Sequence, residues 1–185
     1  ISTVVDHERL LPGGSTLSEG ATAMLKHKLT RRISIALAFL PLTLAIASEP
    51  KSRVADASDP FFASGKIPQL RIEVDEKNVE KLNAEPRNYV KATIDEDGQT
   101  KYTGVALKLK GAAGSYRDWG DRPALTLNMT KFNKQGKFHD LVKFHLNNSV
   151  QDETYVSELI CSELFRQAGV PAPRVTHARV WLNGR

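Results

Sequence analysis

Lys108 and Lys110 stand two positions apart at the end of an alternating segment that runs directly into Gly111-Ala-Ala-Gly114. A later segment of helical spacing carries Glu158 and Glu163. Residues of these types suit chemistry on phosphate groups. A cation beside a glycine turn can meet phosphate oxygens, and a carboxylate on a neighbouring helix can hold that cation's side chain in place. Lys108 or Lys110, beside the Gly111 turn, is therefore a candidate phosphate contact, with a helix glutamate, Glu158 or Glu163, as its candidate partner. The plainer alternative is a pair of solvated lysines on an open strand face, where ion pairs contribute little.

Other self-sufficient motifs are absent from the sequence. It contains no CxxC, HExxH or GxSxG, no Walker phosphate loop and no dinucleotide glycine fingerprint. Of five histidines only His139 and His145 lie close together, at a spacing that suits structural roles better than a metal pair. The single cysteine, Cys161, falls among apolar residues of a helical pattern and reads as core. The formal charge of +5 is owed in part to a basic cluster near the start. No Lys/Arg stripe interleaved with aromatics suggests nucleic acid as a partner.

The elements that must position the lysines and the glutamate can be read from periodicity. Leu70 to Val74 alternates as a strand, and Asp75 caps a short helix carrying Val79 and Leu82 that ends before Pro86. Tyr89 to Ile94 and Tyr102 to Lys110 form a hairpin about the Asp97-Gly98 turn, with Val105, Leu107 and Leu109 on one face. A flexible stretch follows to Asp121. Leu125 to Met129 and Leu141 to Leu146 read as strands separated by a polar loop. Asp152 caps the strongest helical pattern, Glu153 to Ala168, whose arc of Val156, Ile160, Cys161, Leu164, Phe165 and Ala168 is expected to be buried. Val175 to Leu182 is a last strand before the Asn183-Gly184 hairpin turn. The expected fold is α+β: an antiparallel sheet with one long packed helix, truncated in mid-fold where the return strand of that turn would follow.

Ahead of the sheet, the sequence divides into three pieces. Residues 1–23 lack periodicity and read as an upstream, non-native extension. Residues 24–47 read as a signal peptide: Met24, then Lys26, Lys28, Arg31 and Arg32, an apolar run from Ile33, and Ala45 and Ala47 in a small-x-small cleavage pattern. The run falls short of the roughly 20 apolar residues of a spanning helix, and Pro41 interrupts it. Residues 48–66, rich in Ser, Ala, Asp and Pro, read as a linker.

Several runs in residues 67–185 carry a family resemblance. They are Lys108 to Gly111, Arg122-Pro123, Lys131-Phe132, Gly136 to Asn148, Asp152, Glu158 to Arg166, Ala168 to Arg174 and Val180 to Gly184. In order and spacing these resemble the N-terminal part of the CotH kinase family, named for the spore-coat protein H. The resemblance implies a kinase-like N-terminal lobe. It also implies a secreted, periplasmic or envelope protein that uses ATP with Mg²⁺ or Mn²⁺ to phosphorylate Ser or Thr of exported proteins. The resemblance implies that Lys108 or Lys110 faces the phosphates beside the Gly111 turn with Glu158 as partner, which makes Lys110 and Glu158 the catalytic candidates and Lys108, Lys110 and Gly111 the cofactor-binding ones. The catalytic and metal-binding aspartates of that family come later in its sequence, so this chain alone is expected to be marginally folded and inactive. A non-catalytic coat or surface protein of the same fold is the alternative. No nucleic acid and no stable membrane span after signal cleavage are expected.

Overall fold

Alternating apolar residues do form strands, but the strands curl round and meet. The computed structural model describes residues 2–6 and 55–185, all of which belong to one compact unit. The strands are β1 (Ser2–Asp6), β2 (Gln69–Glu73), β3 (Val90–Glu96), β4 (Thr100–Lys110), β5 (Ala124–Asn128), β6 (Lys143–Asn147) and β7 (Arg174–Leu182). They form a closed barrel in the order β1-β6-β5-β4-β3-β2-β7. Neighbours are antiparallel except β2 and β7, which run parallel. Three short helices accompany them: α1 (Asp59–Ala63), α2 (Glu76–Ala84) and α3 (Ser157–Gln167).

The turns are those the sequence dictates. Asp97 and Gly98 have φ of 56° and 70°, and Asn183 and Gly184 have φ of 47° and 80°. Both pairs suit two-residue hairpin turns, because both central residues must take positive φ. After the second turn, Leu182 and Arg185 exchange backbone hydrogen bonds of 2.9 and 3.1 Å. Asp75 caps α2 by accepting from the Asn78 N–H at 2.8 Å.

Side chains of alternate residues fill the barrel. Val105, Leu107 and Leu109 point in from β4, Leu125 and Leu127 from β5, Phe144 and Leu146 from β6, and all are buried. Phe138 lies in the polar loop of the sequence reading, yet it is wholly buried. Its ring packs edge-on to Phe61 with centroids 5.2 Å apart and stacks on Phe144 at 4.8 Å. Residues 55–66, read as linker, hold α1, whose Phe61 enters the core. Beside it the buried Arg174 guanidinium binds Asp6 at 2.6 Å, Ser58 at 2.7 Å and Asp59 at 2.8 Å, and lies over the Phe62 ring at 4.5 Å.

The expectation of an α+β sheet with one long packed helix, in the manner of a kinase-like N-terminal lobe broken in mid-fold, is overturned by this barrel. Two physical causes are visible. Tyr155 has φ of 62°, which no α-helix accommodates, so α3 begins only at Ser157. Asp152 still serves its start by accepting from the Ser157 N–H at 2.9 Å. The apolar arc of α3 also faces outward: Ile160 is 49% exposed, Leu164 59% and Phe165 55%. Cys161, expected in the core, is exposed too. Helical periodicity reports that a stripe exists, not what covers it. Residues 2–6, read as part of an extension outside the fold, form a buried strand between β6 and β7. The signal peptide assigned to residues 24–47 lies outside the described residues.

The two faces should separate by mutation. Leu127→Ala should cost about 2–5 kcal/mol in chemical denaturation, the usual range for a buried leucine. Leu164→Ala should cost less than about 1 kcal/mol, because its side chain is already in water. Equal losses at the two positions would contradict the outward orientation of α3.

Candidate functional site

Lys110, Ala124, Asn147 and Thr3 come from four neighbouring strands, β4, β5, β6 and β1. Lys110 lies opposite Ala124 in the β4–β5 register, and Asn147 opposite Thr3 in the β6–β1 register. Inward residues alternate with these, so the side chains of Lys110, Asn147 and Thr3 stand on the outer face of the barrel. Ala124 presents no atoms beyond Cβ. The Lys110 side chain can therefore cross β5, and its Nζ donates to Asn147 Oδ1 at 2.7 Å. Asn147 Nδ2 donates in turn to both carboxylate oxygens of Glu158, at 2.6 and 2.8 Å. Glu158 lies in the first turn of α3, and its Oε2 also accepts from the Thr3 hydroxyl at 2.6 Å.

Lys110, Ala124, Asn147 and Glu158 line a cavity of about 320 Å³ together with Gly111, Ser115, Asn148, Gln151, Asp152 and Ser157. Lys110, Gly111 and Glu158, singled out in the sequence, therefore share one cavity. The lysine and the glutamate are bridged by Asn147 rather than directly paired. Lys108 goes elsewhere: its ammonium lies 4.9 Å from the centroid of the Tyr89 ring, which Lys131 also approaches at 5.2 Å. A larger depression of about 440 Å³ lies near Glu73, Asp75, Lys91 and Gly104, away from these residues. Its charged side chains are exposed, so it offers no desolvated group for chemistry.

The wall of the site is made by the loop after β4. Gly111 has φ of 110°, and a Cβ there would meet the Tyr116 backbone at 2.9 Å, so only glycine permits the chain to fold back at this point. Asn148 is buried and donates to Ser115 O at 3.0 Å and Arg122 O at 3.2 Å, pinning the stretch expected to be flexible within it and just past its far end. Arg87 donates to the carbonyls of Leu109 and Gly111.

Burial holds the Lys110 ammonium below the ordinary lysine pKa, and the nearby Glu158 charge works in the opposite direction. In its protonated form Lys110 is a partly desolvated cation answered by a neutral amide and a more distant carboxylate. Such a cation is poised to take an anionic ligand, because a phosphate would supply the counter-charge that Asn147 lacks. Asp152 is held below the usual carboxylate range, chiefly by the Thr154 hydroxyl and then by the Ser157 N–H. It remains an anion at the mouth of the cavity. Among the described residues no group of three or more His, Cys, Asp and Glu is placed to hold a metal ion. His139 bonds Glu96 at 2.7 Å and stacks on Phe61 at 4.5 Å, while His145 meets Thr126 at 3.1 Å. The two histidines act separately and structurally.

Residues 107–185 match the family model described as CotH kinase protein. The C-terminal part of this chain is thus similar to the CotH kinase protein family. No curated protein matches the chain. The CotH match opens within β4 and contains Lys108, Lys110, Gly111, Asn147 and Glu158, whereas Thr3 reaches the site from outside it. Asn147, Ala124 and Thr3 were not singled out in the sequence. The one available signal was that Asn147 shares the outward phase of Lys143 and His145 at the end of its strand.

Charge around Lys110 can be read by acylating it over a range of pH. Its reactivity should titrate below the usual lysine midpoint of about 10.5. In Glu158→Gln the midpoint should fall further, because the one influence that raises it is gone. A midpoint that rises in this variant would contradict the geometry. Ala124→Leu should fill the path across β5 and change the same profile with the fold intact by circular dichroism.

Proposed function

We propose that this chain is part of an exported atypical protein kinase of the CotH type, and that Lys110 holds nucleotide phosphates. The observation that carries this reading is the partly buried Lys110 ammonium in a cavity with the Gly111 turn and Glu158, bridged through Asn147. The match of residues 107–185 to a family described as a kinase supports it at the coarser level.

In this reading ATP binds with its phosphates toward Lys110 and the backbone of the Gly111 turn. Electrostatic neutralisation and positioning are what phosphoryl transfer asks of a protein, and a lysine fixed by a helix carboxylate supplies both. Lys108, on the Tyr89 ring, takes no part. The acceptor is a Ser or Thr hydroxyl of a secreted, periplasmic or envelope protein. That localisation is the one the resemblance to the CotH family implies. Mg²⁺ or Mn²⁺ would accompany ATP, with the described residues offering only Asp152 and Glu158 near the cavity.

A second reading is a non-catalytic coat or surface protein that keeps the fold for binding. Asn147 standing between the lysine and the glutamate favours it, because the usual arrangement for transfer pairs those two charges directly. The two readings part on whether radiolabel from γ-labelled ATP reaches protein.

Nucleotide binding itself is tested by thermal denaturation of the chain with and without ATP and Mg²⁺. ATP at 100 times its Kd should stabilise the fold by about 2.7 kcal/mol. Lys110→Met should abolish that shift, while Lys108→Met should retain it. A shift unchanged in Lys110→Met removes the lysine from the mechanism.

A further inference from the structure

Strand β1 differs in kind from the other six. It enters the barrel from a distant part of the sequence, beyond residues 7–54, yet both of its edges are paired: with β6 through Thr3 to Val5 and with β7 through Ser2 to Asp6. All five of its residues are buried. It is held by side chains at two points besides the ladder. Outside the barrel, the Thr3 hydroxyl donates to Glu158 at 2.6 Å; inside, Asp6 accepts from buried Arg174 at 2.6 Å. The alternate residue Val4 fills the core. Without β1, the β6–β7 gap has the attributes of a peptide groove: two strand edges, buried places for two apolar side chains, a carboxylate that reads a hydroxyl, and a guanidinium that reads a carboxylate.

We propose that the groove between β6 and β7 is a docking site for an extended peptide strand, and that residues Ser2–Asp6 of this chain are its occupant as a separable ligand. Recognition follows a hydroxyl–apolar–apolar–acid order, Thr3-Val4-Val5-Asp6, because Val4 and Val5 are both wholly buried, one on each face of the strand. Main-chain pairing on both edges gives affinity, and the two side-chain contacts give register. A slip by one residue would take Thr3 off Glu158, bury it in place of Val4, and strand Asp6 on the wrong face. The strand in the groove also touches the carboxylate that Asn147 ties to Lys110. This last consequence, and only this one, rests on the nucleotide reading of the site; the docking itself does not.

The experiment uses the full chain carrying a specific protease site within residues 12–53. After cleavage, a fluorescent peptide of residues 1–11 is added and its anisotropy followed. Saturable binding, displaced by the unlabelled peptide, is expected. The Asp6→Ala peptide should bind at least about tenfold more weakly, since it leaves Arg174 short of a buried partner. The Thr3→Val peptide should be weakened about threefold or more. A scrambled peptide that binds equally well would overturn the proposal. So would cleavage that releases the N-terminal piece without lowering the melting temperature of the rest. Val5→Cys with Val175→Cys, opposite one another in register, supplies the control in which folding is preserved. With the disulfide formed, the labelled peptide should be excluded, and reduction should restore its binding. Equal binding to oxidised and reduced protein would place the peptide somewhere other than the groove. No nucleotide enters any arm, so failure here is distinct from failure of the kinase reading.

Discussion

Closure of the barrel governs the rest of the molecule. A sheet that curls until β6 and β7 approach leaves two rows of backbone donors and acceptors that must be paired, because unpaired buried groups cost about 1–3 kcal/mol each. The five residues of β1 pair both rows at once. Closure fixes the alternation: once inward positions are set, Lys110, Asn147 and Thr3 have no choice but the outer face. It also brings α3 against β7 with Glu158 over β1 and β6. The Arg174 cluster is the inner half of the same constraint, joining β7 to β1 and α1 through one buried cation and several carboxylates.

That geometry explains how a lysine can be both buried and useful. The outer face of a barrel is normally wet, but the Gly111 loop, pinned by Asn148, and the first turn of α3 roof over this part of it. Desolvation destabilises the protonated form of Lys110, and an uncharged amide answers it instead of a directly bonded carboxylate. The sign of the linkage follows. Because the folded pKa lies below the unfolded one, Lys110 opposes folding at neutral pH, and that opposition fades as pH rises through the folded pKa toward about 10.5. A group that costs stability in the free protein is one that a bound anion can repay.

Strands β2 to β7, both hairpin turns and the α2 cap are legible in the sequence, since each is set by neighbours within a few positions, and Lys110 and Glu158, singled out there, share one cavity. What the sequence hid depends on distance along the chain. Asn147 meets Lys110 across 37 residues, and Thr3 meets Glu158 across 155, so no local pattern announces either. The burial of Phe138 was masked by its polar surroundings, although the aromatic cluster around it needs the ring. The α3 stripe misled in the opposite sense. Val156, Ile160, Leu164 and Phe165 have the spacing of a core helix, yet within the described residues nothing buries them. A fold reading built on that helix inherited the error, and the barrel was missed because β1 lay in a segment with no periodicity.

Covalent capture tests directly whether the phosphates of a nucleotide sit at Lys110. An acyl-phosphate derivative of ATP transfers its acyl group to a lysine amine lying beside the bound phosphates. Mass spectrometry of the labelled chain should find the acyl group on Lys110 and not on Lys108, and excess ATP should prevent the labelling. Acylation of Lys108 and Lys110 alike, or acylation of Lys110 that ATP leaves unchanged, would contradict the account.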